Sequence, residues 1–143
     1  MATVRETMEH LFSSWNAHDK STWMALLAPD QEMFLPGGVQ LAGTEGANTF
    51  YALWHDAFPE NQLEVRRMIT EGDAVVVEAI FHGTHTGPLN LPNGAVPPTN
   101  KQVSVPYVLI GTAVGSTFTR LDFYYDQVEV QTQLGLMPAA VPG

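Results

Sequence analysis

At the start of the chain, apolar residues recur at intervals of three and four. Val4, Met8, Leu11, Phe12 and Trp15 alternate in this way with Arg5, Glu6, Glu9 and His10, as one face of an amphipathic helix requires. The spacing predicts a helix over 2–17. Asp19 or Ser21 supplies a cap for a second, short helix carrying Trp23, Met24, Leu26 and Leu27, which Pro29 and Asp30 bring to an end. Glu32 to Leu35 reads as a short strand stopped by Pro36-Gly37-Gly38, and Val39 to Ala42 as a second extended piece. A third helix is expected from about Thr44 to Ala57, placing Phe50, Leu53, Trp54 and Phe58 near one face before Pro59 breaks it.

Beyond that point the period changes from helical to two. Residues 62–71, 74–86, 101–114 and 117–126 read as four long antiparallel strands, two of their links being the turns Glu71-Gly72-Asp73 and Gly115-Ser116. The third link, 87–100, carries four prolines among glycines and asparagines. It is expected to be a long loop, either covering a pocket mouth or forming a loose hairpin tip. A turn of helix around Val128 to Leu134 precedes a Pro/Ala/Gly tail at 137–143, expected to be flexible. Helices first and sheet afterwards predict an α+β fold in which a curved antiparallel sheet, shaped as a cone, carries three N-terminal helices on its concave face. The open end of such a cone is a concave site, for which the chain offers Phe34, Trp54, Phe58 and Tyr107 as aromatic lining. Trp15, Trp23 and Phe50 fall at helical spacing and are assigned to the core, leaving Trp54 as the tryptophan expected to reach the cavity.

Composition narrows the partners. The 143 residues suffice for one domain, 1–143, and 45% hydrophobic against 15% charged residues favours a packed core over disorder. The formal charge of −9, with no run of Lys or Arg longer than two, argues against nucleic acid and anionic membranes. Without cysteine there is no disulfide, thiolate zinc site or Cys nucleophile. No histidine pair has the spacing of a helical zinc site, and no phosphate-binding or nucleophile-elbow motif occurs. The expectation is a soluble cytoplasmic protein without metal or cofactor, acting on a small hydrophobic molecule.

Along the last strand, alternation puts Phe118, Arg120, Asp122, Tyr124 and Asp126 on one face and Leu121, Phe123 and Tyr125 on the other. Either face is able to line the cone. If the polar one does, Arg120, Asp122, Tyr124 and Asp126 form a ladder deepening the pocket. If not, Arg120 and Asp122 are a surface pair. Asp126 also stands where an N-cap is wanted for the closing helix. His85 lies in Gly83-Thr84-His85-Thr86-Gly87, open both to substrate orientation and to simple satisfaction by neighbouring threonines.

Four stretches together resemble the SnoaL-like polyketide cyclase family of the nuclear transport factor 2-like superfamily. They are Ser14-Trp15-Asn16-Ala17-His18-Asp19; Glu71-Gly72-Asp73 running into Val75-Val76-Val77; Gly83 to Leu89 with Pro97-Pro98-Thr99 and Lys101; and Tyr125-Asp126-Gln127 followed by Gln133-Leu134-Gly135-Leu136. The resemblance implies a cone-shaped barrel, often a homodimer through the outer sheet face, and cofactor-free proton abstraction from a carbonyl substrate leading to aldol-type cyclisation or isomerisation. Asp126 matches the position of the family's catalytic acid/base, and a carboxylate in an apolar cavity is raised toward the pH at which it can take a proton beside a carbonyl. His85, Tyr107 or Tyr124 would then donate to the developing oxyanion. In the family's cyclases a histidine stands two positions before the acid, where this chain has Tyr124. Asp122, Trp54 and Phe34 complete the expected substrate-binding set. Two further readings stay open: epoxide hydrolysis using Arg120, Asp122 and Asp126, and a non-catalytic pocket for a small apolar ligand.

Overall fold

The structure, a computed structural model, describes residues 2–137, so the expected tail lies, beyond Met137, outside the described residues. Helix α1 (Val4–Asn16) starts where the Thr3 hydroxyl accepts from the Glu6 amide at 3.1 Å and Glu6 Oε1 accepts from the Thr3 amide at 3.0 Å, a reciprocal capping box. Its buried face includes Met8, Leu11, Phe12 and Trp15. His18 turns the chain with φ of 57°, and Asp19 caps α2 (Lys20–Ala25) by accepting from the Thr22 amide.

The second helix is shorter, and the strand after it longer, than the sequence suggests. Strand β1 (Leu27–Leu35) contains Pro29 rather than following it. It pairs in parallel with β8 (Thr117–Tyr124) at Leu27 opposite Phe118 and again from Glu32 opposite Arg120, with a register break between. Pro29 falls in that break, where no ladder bond is asked of its missing N–H. The turn at Gly37 and Gly38, with φ of 86° and 75°, leads into β2 (Val39–Ala42), and α3 (Gly43–Ala57) packs across β1.

Strands β3 (Gln62–Glu71), β4 (Ala74–Thr84) and β7 (Gln102–Val114) join β8 in the expected antiparallel block. The full order is β2-β1-β8-β7-β4-β3. The sheet is therefore mixed rather than wholly antiparallel, because β1 enters beside the last strand in parallel. Register shifts at Val65/Arg67 and Thr112/Ala113 are places where bulged strands bend. The helices cover the side on which Val75, Val77, Ala79 and Leu109 are buried.

The 87–100 segment is more ordered than a structureless loop. Strands β5 (Leu89–Leu91) and β6 (Gly94–Val96) pair as a small hairpin, and Leu89 is buried against Phe58 and Leu134 in a second apolar cluster. Its base is closed by backbone bonds from His85 to Lys101 and from Asn100 to His85, both 2.9 Å. Gly87 crosses the end of α3 so closely that a Cβ there would lie 1.8 Å from the Asp56 carbonyl oxygen. The Gly87 amide donates to Ala57 O at 3.1 Å. The chain ends its described part with α4 (Gln127–Gln133).

Candidate functional site

Between the helices and the sheet lies an apolar cavity of about 70 Å³. Trp15 of α1, Trp23 of α2, and Phe50 and Trp54 of α3 form its helical wall. Tyr107 of β7 and Phe123 of β8 face them, while Tyr125 and Val130 close the end beneath α4. The assignment of Trp15, Trp23 and Phe50 to core alone is thus corrected, since each belongs to the core and presents a ring edge or face to the cavity. All three tryptophans reach it because the three helices converge rather than lie side by side.

Among the described residues no carboxylate and no histidine lines this space. Its side-chain polar atoms are the hydroxyls of Tyr107 and Tyr125 and the indole N–H groups. The Trp15 N–H is already given to Asn61 Oδ1 at 2.6 Å. Burial pushes the Tyr107 hydroxyl far above the usual tyrosine range and the Tyr125 hydroxyl up to about 12. Both are therefore neutral donors at any physiological pH. The site can hold a neutral acceptor such as a carbonyl oxygen and has no counter-charge for an ion.

The expected site residues divide between two faces. Trp54 and Tyr107 line the cavity. The apolar face of β8 points inward, with Leu121 fully buried and Phe123 in the wall, so Asp122 and Tyr124 stand on the outer face. There Arg120 donates from Nε to Asp122 Oδ2 at 2.9 Å and from Nη2 to Oδ1 at 3.1 Å. The same guanidinium lies 4.2 Å from the centre of the Phe34 ring, which removes Phe34 from the concave side. Tyr124 is 58% exposed. Leu121 rather than Arg120 takes the inner position because β1 and β7 both flank β8 with apolar inner faces, and a charge there would be buried unpaired.

Asp126 caps α4. Its Oδ1 accepts from the amides of Val128 at 2.9 Å and Glu129 at 3.2 Å, and the side chain is exposed. His85 is completely buried but lies behind Phe58, its ring 5.3 Å from that ring. The Thr99 amide donates to His85 Nδ1 at 3.2 Å and the Thr99 hydroxyl sits 3.0 Å from the same nitrogen. The proton of the neutral ring is then on Nε2, which has no partner among the described residues, and burial holds the pKa below its ordinary value. The structure thus brings neither Asp126 nor His85 into the cavity wall. Tyr125, which sequence reasoning passed over, is there, and the alternation that set it opposite Asp122 and Tyr124 was the signal for it.

These features define an α+β cone with an aromatic interior, the architecture of ketosteroid isomerase-like and nuclear transport factor 2-like proteins. The sequence profile of the SnoaL-like domain matches residues 8–119, and the chain belongs to that family. Among solved structures it is similar to one named as a SnoaL-like polyketide cyclase from Jannaschia sp. CCS1, with a TM-score of 0.82 and 28% identity, covering 94% of this chain and 93% of that one. AclR from Streptomyces galilaeus, named as a hydroxylase, superposes with a TM-score of 0.81 at 22% identity, covering 97% and 88%. A protein with a ketosteroid isomerase-like fold from Catenulispora acidiphila DSM 44928, in complex with trimethylamine, gives 0.76 at 20% identity, covering 99% and 100%. No curated protein matches the sequence. Among the described residues no group of three or more His, Asp or Glu is placed to hold a metal ion, and no helix is long and apolar enough to cross a membrane.

One titration follows from the wall. His55 stacks on Tyr51 at 4.0 Å and lies 4.7 Å from the His18 ring. Burial, and then the neighbouring His18, lower its pKa from 6.5 to about 4. Protonation therefore favours the unfolded chain, and the stabilisation is complete above pH 6.5 and lost as pH falls toward 4. Urea unfolding midpoints should drop between pH 7 and 4.5 more steeply in the native protein than in His55→Leu; parallel curves would show that His55 does not titrate with folding.

Proposed function

We propose that the cavity binds a neutral, ring-containing small molecule bearing a carbonyl, and that the Tyr107 and Tyr125 hydroxyls hydrogen-bond and polarise that carbonyl. The observation that carries this reading is the chemistry of the wall. Aromatic rings and aliphatic side chains make up the wall, the polar side-chain atoms in it are hydroxyl and indole donors, and among the described residues nothing in it carries charge at neutral pH. Aromatic burial supplies affinity and the two hydroxyls supply orientation. The similarity to the Jannaschia structure named as a SnoaL-like polyketide cyclase supports a polyketide-like substrate. A cytoplasmic location belongs to the same proposal.

A second reading, proton abstraction of the SnoaL-like type, is favoured by one feature of Asp126. Both cap bonds fall on Oδ1, leaving Oδ2 without a partner among the described residues, and the residue follows directly on Tyr125 at the end of the cavity. In this reading Oδ2 takes a proton from the carbon beside the carbonyl and the tyrosines stabilise the enolate oxygen. Epoxide opening draws no support from the geometry, since Arg120 is engaged with Asp122 on the opposite face of the sheet. Pairing of two copies through that outer face is proposed as well, because Ile80, Val108 and Ile110 are only half-covered there.

Tryptophan fluorescence should show 2-tetralone binding more tightly than tetralin, its ketone-free counterpart. Tyr107→Phe and Tyr125→Phe should each weaken the ketone about two- to tenfold, the worth of one net hydrogen bond, and leave tetralin unchanged. Equal affinities would remove the tyrosines from the reading, and no binding of either compound would remove the reading itself. For the second reading, 2-tetralone should take up deuterium in D2O faster with the native protein than with Asp126→Asn; turnover within a few-fold of native in the variant would exclude Asp126 as the base. Sedimentation velocity at micromolar concentration should give a dimer, and a monomer would overturn the pairing.

A further inference from the structure

The cavity wall is not uniformly held. On the sheet side, β8, β7, β4 and β3 are hydrogen-bonded to one another in that order. On the helical side, α1 and α3 each bury several side chains. The β5–β6 hairpin is pinned by the Gly87 to Ala57 bond and by Leu89. Only α4 differs: no side chain of Gln127–Gln133 is fully buried, although Val130 forms part of the wall.

What holds α4 follows from where β8 stops. Its last pairing with β7 sets Tyr124 opposite Val108, so the β7 edge before Val108 has lost its neighbouring strand. At Ser104 a side chain takes the strand's place. The Ser104 amide donates to Gln133 Oε1 at 2.7 Å, and Gln133 Nε2 donates to Ser104 O at 3.0 Å. At the other end of the helix Gln127 Nε2 donates to Pro36 O at 3.0 Å. Leu134, 2% exposed, seats the following turn against the cluster around Phe58. Segments with few buried contacts and solvent-facing hydrogen bonds open first.

We propose that α4 is the hinged wall through which the cavity is reached, and that the Gln133 carboxamide on the Ser104 backbone is its latch. The inference rests on the binding reading above for its ligand, and on the geometry of α4 alone for its motion. Leu134 keeps the door closed at rest, Asp126 and Gln127 stay as the hinge side, and release of Gln133 frees the end that carries Val130.

The test measures access twice. In stopped-flow fluorescence, Gln133→Ala should raise both association and dissociation rates of 2-tetralone about fivefold while affinity stays within about twofold, as expected when a gate and not a contact is removed. Gln133→Glu, which keeps the acceptor for the Ser104 amide and loses the donor, should fall between. Gln40→Ala, which removes an exposed bond from β2 to Glu32 on β1, should leave the rates unchanged. Acrylamide quenching of the cavity tryptophans and hydrogen exchange at the Ser104 amide need no ligand, and both should rise in Gln133→Ala. Rates and quenching unchanged in that variant would overturn the latch even if 2-tetralone binds. Failure of 2-tetralone to bind would count against the binding reading, while the quenching and exchange results still decide the door.

Discussion

The packing of the three N-terminal helices on one another depends on one buried indole. Trp15, 3% exposed, meets Trp23 at 5.5 Å, Tyr51 at 5.2 Å and His55 at 4.2 Å between ring centres, so α1, α2 and α3 all close on it. A buried N–H left unpaired costs about 1–3 kcal/mol, and Asn61 Oδ1 meets this one at 2.6 Å. Asn61 is held in turn, its amide and side-chain nitrogen both donating to Phe58 O. The end of α3, and with it Phe58 and the crossing of Gly87, is thereby tied to α1. Loss of that single acceptor would loosen the helical wall, the hairpin base and the site together.

A wall of large rings explains why the interior is a cavity and not a filled core. Aromatic side chains have few rotamers and cannot collapse into a gap as leucine or methionine does. Space of about 70 Å³ left without partner atoms represents on the order of 1–2 kcal/mol of forgone packing. That loss is recovered when a ligand of complementary shape enters, on top of its own apolar burial. Where rings give way to small residues the sheet does pack solidly: a Cβ on Gly111 would lie 2.7 Å from Met8 Cε, so the strand and α1 are in contact at that end. The cone is filled at the Gly111 end by Met8 and Phe118, and stays open where most of the large rings of the wall meet.

Much of this was legible in the chain. Period changes located α1, α3 and the four long strands, and Trp54 and Tyr107 were placed in the wall from position alone. What local pattern does not carry is which partner a strand will take. β1 lies parallel to β8, a pairing between the two ends of the chain, and that neighbour decides which face of β8 turns inward. Phe34, Asp122 and Tyr124 were assigned to the cavity without that knowledge, and the Arg120 fork with Asp122 over the Phe34 ring shows the outer face they share. The hairpin inside 87–100 was hidden for a similar reason: prolines and glycines announce a break, while the burial of Leu89 against Phe58 and Leu134 depends on segments far away in sequence.

On this fold, what distinguishes one chain's site from another's is a few wall atoms. Similar structures are named as a cyclase and as a hydroxylase, so the cone itself selects no chemistry. In this chain Tyr125 and Asp126 are adjacent, and adjacent strand residues face opposite sides. The two can serve one cavity only because β8 ends at Tyr124 and the backbone is already turning toward α4. The cap bonds to Val128 and Glu129 fix Oδ1 to the start of the helix, so Asp126 stands at the join between β8 and α4. Asp126 is exposed beside the cavity, so in the proton abstraction proposed above Oδ2 would have to turn inward at this join, while the tyrosine donors already stand in the wall.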